Sequence, residues 1–290
     1  MKIRNLLYIL AFSNLMIACN SSKDNQEDII TVTIQPQQYF AEQIAGDAFE
    51  IHTMVPAGSS PESFDPPASS LVELTKSKAY FRIGEIGFEK AWMDRLQSQV
   101  PDMIVYDTSE GIDLIHSSHS CSHHHDHCHH NVDPHIWTTP TLAYSISTNM
   151  YEALCELSPE SKALFETNYN KLSEELKSLD QYLHTTLDPL KGQSFVIYHP
   201  TLTYFAKEYG LTQYAIENDG KEPSVSHLKD LIDKVAQTNA KVIFIQEEFD
   251  QKHARTVAEA LDLEVVQINP LSKDWSEELI KIANALSNEQ

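Results

Sequence analysis

The stretch from His116 to Trp137, HSSHSCSHHHDHCHHNVDPHIW, holds nine of the chain's fourteen histidines. Imidazole is the commonest protein ligand for metal ions, and near neutral pH most of these rings offer a lone pair without first losing a proton. Binding a divalent metal is therefore the chemistry this stretch can do. His116, His119, His123, His124, His125, His127, His129 and His130 crowd around Cys121, Asp126 and Cys128 with no single spacing that would define one rigid site, the pattern of a flexible collector. His135 is different. It stands between Pro134 and the apolar pair Ile136 and Trp137, where the chain is stiff and turns inward, and it is expected to be a fixed ligand. An internal, interrupted run of this kind does not read as a purification tag.

The elements that would carry such ligands alternate between strand and helix. Strands are expected at Ile29 to Ile34, Phe49 to Val55, Ala79 to Ile83 and Met103 to Tyr106, with helices at Pro36 to Ala45, Pro67 to Lys76 and Phe88 to Gln99. A second series runs through strands at Ser194 to Tyr198, Gln213 to Ile216, Val242 to Ile245 and Glu264 to Ile268, with helices at Leu202 to Tyr209, Val225 to Thr238, Gln251 to Leu261 and from Asp274 onward. Such alternation predicts an α/β fold of two similar lobes, each a parallel sheet flanked by helices. Between them, Ser158-Pro159-Glu160 opens a helix in which Phe165, Tyr169, Leu172, Leu176, Leu179 and Leu183 recur at steps of four, three, four, three and four. That is one connecting helix of roughly 30 residues, about 45 Å long, a strut that lets the lobes rock only slightly. The same spacing could form a coiled-coil seam, but barely four heptads lying between two domains favour the strut, and a monomer is expected.

The candidate ligands share one position relative to this scaffold, just beyond strand C-termini. Glu62 follows the second strand, His135 the fourth, His199 immediately follows Phe195-Val196-Ile197-Tyr198, and Asn269 follows Val265-Val266-Gln267-Ile268. Open α/β sheets bind ligands there, so two facing lobes would bring these residues together. Glu247 and Glu248, after Val242 to Ile245, are reserve ligands. His52, His184, His227 and His253 fall inside a strand or helices and are expected to be surface or packing residues.

The ends and the charge narrow the class further. Lys2 and Arg4 precede an apolar run from Leu6 to Ala18 that is too short to span a bilayer comfortably, and Met16-Ile17-Ala18-Cys19 resembles a bacterial lipobox. The expected organisation is an export signal over residues 1–18 and a lipidated tether over 19–28 that starts at Cys19. An N-terminal lobe over 29–139, containing the histidine-rich loop 116–130, leads to a helical linker over 140–157. The connecting helix over 158–190 and a C-terminal lobe over 191–290 complete it. The chain carries 21 basic and 42 acidic residues, and loss of Lys2 and Arg4 with the signal takes its formal charge from −21 to −23. That excludes nucleic acid as a partner and favours accumulation of cations. Only Cys121, Cys128 and Cys155 then remain, an odd number that forms no disulfide framework, although Cys121 and Cys128 could pair or bind metal as thiolates.

Several motifs together resemble a known family. Val55-Pro56-Ala57-Gly58-Ser59-Ser60-Pro61-Glu62-Ser63-Phe64-Asp65-Pro66 resembles the loop bearing the first ligand in metal-binding lipoproteins of bacterial ABC importers, the zinc and manganese class of cluster A-I. Asp133-Pro134-His135-Ile136-Trp137 resembles its second motif. Tyr198-His199-Pro200 followed by Tyr204-Phe205-Ala206-Lys207-Glu208-Tyr209-Gly210-Leu211 resembles its third, and Glu222-Pro223-Ser224 and Asn269-Pro270-Leu271 match further landmarks. The resemblance runs from about Ile30 to the C-terminus and implies two lobes on a long helix, with a histidine-rich loop ahead of the second ligand and a histidine as third ligand in the zinc-binding members. Two positions depart from the family pattern, which usually has histidine where Glu62 stands and aspartate where Asn269 stands. Glutamate coordinates zinc well, whereas an amide oxygen coordinates weakly or leaves the position to water.

The resemblance therefore implies a lipid-anchored, extracytoplasmic protein that captures a divalent ion at Glu62, His135, His199 and, weakly or through water, Asn269, and delivers it to an ABC permease. Zn²⁺ is the expected ion, and Mn²⁺ or Fe²⁺ also suit two histidines and a carboxylate. A zinc-dependent hydrolase is the alternative, because such a site with an open position is also hydrolytic. The chain has no HExxH helix and no clear general base, so no enzyme is expected. A surface metal buffer or adhesin working without a permease is the third reading.

Overall fold

The structure, a computed structural model, describes residues 28–116, 132–217, 222–249 and 251–287. The signal, Cys19 and the tether up to residue 27 lie outside the described residues, as does the histidine-rich stretch 117–131. In the N-terminal half, β-branched and aromatic runs form β1 (Ile29–Val32), β2 (Glu50–Thr53), β3 (Ser77–Arg82) and β4 (Ile104–Asp107). They alternate with α1 (Gln35–Ala45), α2 (Ala68–Leu74) and α3 (Gly87–Gln99). All pairings are parallel, in the order β2-β1-β3-β4. After α4 (Pro140–Leu157) and α5 (Lys162–Leu187) the C-terminal half repeats the plan with β5 (Ser194–Ile197), α6 (Thr203–Glu208), β6 (Thr212–Ala215), α7 (Val225–Val235), β7 (Val242–Gln246), α8 (Lys252–Leu261), β8 (Glu264–Ile268) and α9 (Trp275–Ser287). Its strands are again parallel, in the order β6-β5-β7-β8. The inner strands β1, β5 and β7 are buried at every residue, as parallel strands covered on both faces must be.

The connecting helix spans residues 159–190, as its sequence pattern predicts. Regular α-helix covers 26 residues, Lys162–Leu187, with 3₁₀ turns at Pro159–Ser161 and Asp188–Leu190 on either end. Ser158 does not cap it, because its hydroxyl is hydrogen-bonded to the Ser161 hydroxyl at 3.0 Å instead of to a helical N–H. The predicted seam is buried at Phe165, Leu172, Leu176, Leu179 and Leu183, and α5 packs on α1 and α4 of one half and on α9 of the other. One apolar core therefore runs from Ile30 through α5 to Leu286, and a second, smaller one lies beneath α7 and α8.

Two tryptophans close the joint between the lobes. The Trp137 indole N–H donates to Pro270 O at 2.9 Å, and the Trp275 indole N–H donates to Trp137 O at 2.7 Å. Both rings are fully buried, and Trp275 also meets Phe40 edge-on at 5.0 Å. Losing a core tryptophan costs ~3–5 kcal/mol, so this joint holds firmly.

A buried carboxylate sits at the carboxyl end of the first sheet. Glu89 accepts hydrogen bonds from the backbone N–H of Ile83 at 2.9 Å and of Gly84 at 2.5 Å, and from the Thr33 hydroxyl. Burial pushes its pKa up from 4.5 to about 7 in spite of these donors. The folded state thus binds the proton more tightly than the unfolded chain. The stability contributed by protonated Glu89 is fully present below pH 4.5 and is lost as pH rises through about 7. Over that window the loss is on the order of 3 kcal/mol. Urea unfolding at pH 5, 6, 7 and 8 should show Glu89→Gln with a flatter pH dependence than the parent chain. Parallel curves would assign the slope to other groups.

Candidate metal centre

His135 is placed by the short rigid turn that its motif predicts. Asp133 Oδ1 accepts from the His135 backbone N–H at 3.0 Å and lies 2.7 Å from His135 Nδ1. His199 leaves the end of β5 on the other lobe, and its Nδ1 lies 2.8 Å from Glu217 Oε2. Gln246, the fully buried last residue of β7, fixes the His199 backbone. Its amide donates to His199 O at 2.6 Å and its carbonyl oxygen accepts from His199 N–H at 3.3 Å. The two rings meet across the cleft with centroids 5.2 Å apart and planes at 76°. A carboxylate on Nδ1 assigns the proton to that nitrogen and leaves Nε2 as the lone-pair donor, the arrangement that carboxylate–histidine–metal sites use. His199 Nε2 is buried without a hydrogen-bond partner among the described residues. A buried polar atom left so costs ~1–3 kcal/mol, and a ligand would relieve it.

The charges around the rings are biased in a consistent way. Burial alone would discourage a proton on His135, but Asp133, with help from Glu62 and Glu217, outweighs it and raises the ring's pKa. Burial opposes ionisation of Asp133 as well, and the His135 ring and the Thr203 hydroxyl reverse that and lower its pKa. Glu248 is raised, first by burial and also by Glu247, while His199 and His135 pull it down.

Glu62, His135, Trp137, His199, Glu248 and Phe249 line one small cleft pocket. Three of the four primary candidates are therefore brought together, with one of the reserves. Glu62 is exposed and its Oε2 accepts from the Gly87 N–H, the first of α3, at 3.2 Å. Asn269 does not line this pocket. It borders a neighbouring pocket, its Oδ1 accepts from Leu271 N–H at 3.0 Å, and its own N–H donates to Glu278 at 2.8 Å. Glu247 points to solvent. His116 pairs with Val132 in a short antiparallel bridge. The other seven loop histidines lie outside the described residues with Cys121 and Cys128, and Cys155 is half-buried and free.

The remaining histidines fall where the sequence put them, His52 in β2, His184 in α5, His227 in α7 and His253 in α8. Among the described residues, Asp180, His184 and Glu208 have potential ligand atoms within 4.8 Å of one another. His184 there lies 3.1 Å from Asp188 and 3.7 Å from Asp180 near the C-terminus of α5, a surface histidine held between two carboxylates of its own helix end. Sequence reasoning missed the residues behind the ligands. Asp133 was legible two places before His135, but Glu217 lies eighteen residues after His199 and reaches it only because β6 pairs with β5.

Two parallel α/β lobes on a stiff helix, with an imidazole from each facing across the cleft, define a two-lobed binding protein that holds its ligand between the lobes. The chain belongs to the ZnuA family, zinc-uptake complex component A, periplasmic, which it matches over residues 30–287. It is 27% identical over 286 residues to zinc-binding lipoprotein AdcA of Streptococcus pneumoniae, an alignment that covers 93% of this chain and 56% of AdcA, so the chain spans little more than half of that relative. It is 26% identical to high-affinity zinc uptake system protein ZnuA of Bacillus subtilis, covering 91% of this chain and 88% of that one. A crystal structure of ZnuA superposes with a TM-score of 0.83 at 34% identity, over 90% of this chain and 98% of that one. A zinc-bound ZnuA deletion mutant gives a TM-score of 0.82 at 34% identity, over 91% and 98%.

Gly87 is where the Glu62 loop rests on α3. A Cβ there would come within 2.4 Å of Glu62 O and 2.8 Å of its carboxylate, and the backbone contact cannot be relieved by a side-chain rotation. Gly87→Ala should therefore displace the loop. The expected result is a lower melting temperature and weaker metal binding in chelator competition, while unchanged values would mean the loop is free to move aside.

Proposed function

We propose that this protein captures Zn²⁺ outside the cytoplasm and delivers it to a membrane permease of the ABC type. The observation that carries the reading is the facing pair of His135 and His199, each with Nδ1 held by a carboxylate and Nε2 left for a ligand. His135 and His199 donate Nε2, Glu62 swings from the N-terminus of α3 onto the ion, and Glu248 supplies the fourth position in place of Asn269. Two neutral imidazoles and two carboxylates balance a dication, so the loaded cleft carries no net charge. The set suits zinc and is also open to Mn²⁺ and Fe²⁺, which competition titration ranks. The histidine-rich segment 116–130 gathers ions for this site, and lipid on Cys19 keeps the protein at the membrane as a monomer. The names carried by the S. pneumoniae and B. subtilis relatives, zinc-binding lipoprotein and zinc uptake protein, support the same assignment. The protein is not an enzyme in this reading, because both cleft carboxylates ligate the ion and neither is left to act as a general base.

Binding should appear as stabilisation. A ligand present a thousandfold above its Kd adds about 4 kcal/mol, enough to raise the melting temperature of a chain of this size by several degrees. In a background lacking residues 117–130, His135→Ala and His199→Ala should each remove most of the zinc-induced shift. Glu62→Ala and Glu248→Ala should reduce it, and Asn269→Ala should leave it in place. Full retention of the shift by both histidine variants would overturn the site. If Asn269→Ala abolishes the shift while Glu248→Ala does not, the fourth ligand belongs to β8 instead of β7. Anchoring is tested separately, since Cys19→Ala should release a soluble protein that still binds zinc. A variant that stays in the carbonate-washed membrane fraction would contradict lipidation.

A further inference from the structure

The first turn of α6 reaches from the C-terminal lobe to the residue that holds the opposite lobe's histidine. The Tyr204 hydroxyl donates to Asp133 O at 2.8 Å and accepts from Ile115 N–H at 2.9 Å. Those two backbones are themselves paired, Asp133 N–H donating to Ile115 O at 2.8 Å. Thr203, one residue earlier, places its hydroxyl against the Asp133 carboxylate and favours its ionised form. That hydroxyl also lies 3.2 Å from Pro200 O and accepts from the Gln213 amide at 3.0 Å, which fixes its position. Tyr204 is only 5% exposed, and burial pushes its pKa up to about 12, so the phenol keeps the proton it donates.

We propose that Tyr204, assisted by Thr203, is a positioning residue for metal capture that orients His135 from the opposite lobe by way of Asp133. The chain segment from His199 to Tyr204 is six residues long and rigid, beginning His199-Pro200 and ending in the first turn of α6. It carries one imidazole at its start and, at its end, grips the carboxylate residue that aims the other. The relative placement of the two rings is thereby constrained by a second link of covalent chain and hydrogen bonds, alongside the joint at Trp137 and Trp275. Metal–nitrogen bonds tolerate little error, and loss of partners behind a ligand characteristically weakens metal affinity by ~10–100-fold.

This inference rests on the reading of His135 and His199 as ligands, and the test separates the two. Zinc affinity of the tightest site is measured on the full chain by chelator competition, for Tyr204→Phe alone, His135→Ala alone and the two combined. Tyr204→Phe should weaken binding by about tenfold or more, chiefly through faster dissociation. In the His135→Ala background the same substitution should change affinity by no more than about threefold, because the ring it positions is gone. An equal loss in both backgrounds would mean a general packing defect, and no loss in the parent would mean the hydroxyl is idle, and either result overturns the proposal. His135→Ala binding zinc as the parent does would instead overturn the ligand assignment, and the proposal with it. Thr203→Val and Thr203→Ser provide the same cycle should Tyr204→Phe fold poorly. Valine should weaken binding only where His135 is present, and serine, which keeps the hydroxyl, should restore it.

Discussion

Two imidazoles that begin on different lobes can share one ion only if the lobes are held in register to a fraction of an ångström, because Zn–N bonds have lengths of about 2.0–2.1 Å with little tolerance. The joint around Trp137 and Trp275 supplies that register. Trp137 is two residues from His135, and its ring contacts the histidine edge-on at 5.2 Å. Its indole nitrogen and its carbonyl oxygen are both tied to the far lobe, by Pro270 and Trp275 respectively. Behind this joint a single apolar core runs through α5 into both halves. A hinge of polar contacts would let the lobes close on a ligand. A continuous core resists that, so the cleft is formed in advance and only side chains need to move.

The side chain that has most to move is Glu62. Its carboxylate rests against the first N–H of α3, where the helix dipole stabilises an anion, and it borders the same pocket as the histidines. Glu248 is poised differently, half-buried and disfavoured as a charge. In the proposed site an arriving dication would relieve both conditions, giving Glu62 a stronger partner than a single amide and compensating the charge that burial discourages on Glu248. His135 works the other way, since the carboxylates that make it a good ligand also raise its affinity for protons. Metal must displace that proton, so binding is weakened as pH falls through the ring's titration.

Much of this could be read from residue types and order. The β-branched runs located all eight described strands, alternation with helices made them parallel, and the apolar steps from Phe165 to Leu183 picked out α5. Glu62, His135 and His199 were legible because each follows a strand at the end where open sheets bind ligands. Strand order was not legible, and it sets which loops border the histidine pocket. In the order β6-β5-β7-β8, β7 lies beside β5, and Glu248 lines the pocket that His199 borders, whereas Asn269, after β8, borders the neighbouring one. Regular α-helix in α5 begins only at Lys162 for a local reason, because Ser158-Pro159 initiates a 3₁₀ turn ahead of it.

The two departures from the usual family pattern make sense together. Where Asn269 stands an aspartate is usual, and the Asn269 amide oxygen keeps the local task of accepting from Leu271 N–H that a carboxylate there could also perform. The turn is preserved and only the charge is dropped. Where Glu62 stands a histidine is usual, and the glutamate returns that charge on the opposite lobe, at a helix N-terminus that stabilises it. The count of carboxylates across these two positions is unchanged, and their location has been exchanged across the cleft. In the proposed site a dication between neutral His135 and His199 would still meet compensating charge, from the exposed Glu62 on one side and from half-buried Glu248 on the other. Glu62 is the exposed carboxylate of this pocket, while the two imidazoles and Glu248 are less exposed. In the proposed site the exchange would therefore move an anionic ligand from the loop after β8 to the exposed side of the pocket without altering the charge that the bound state must balance.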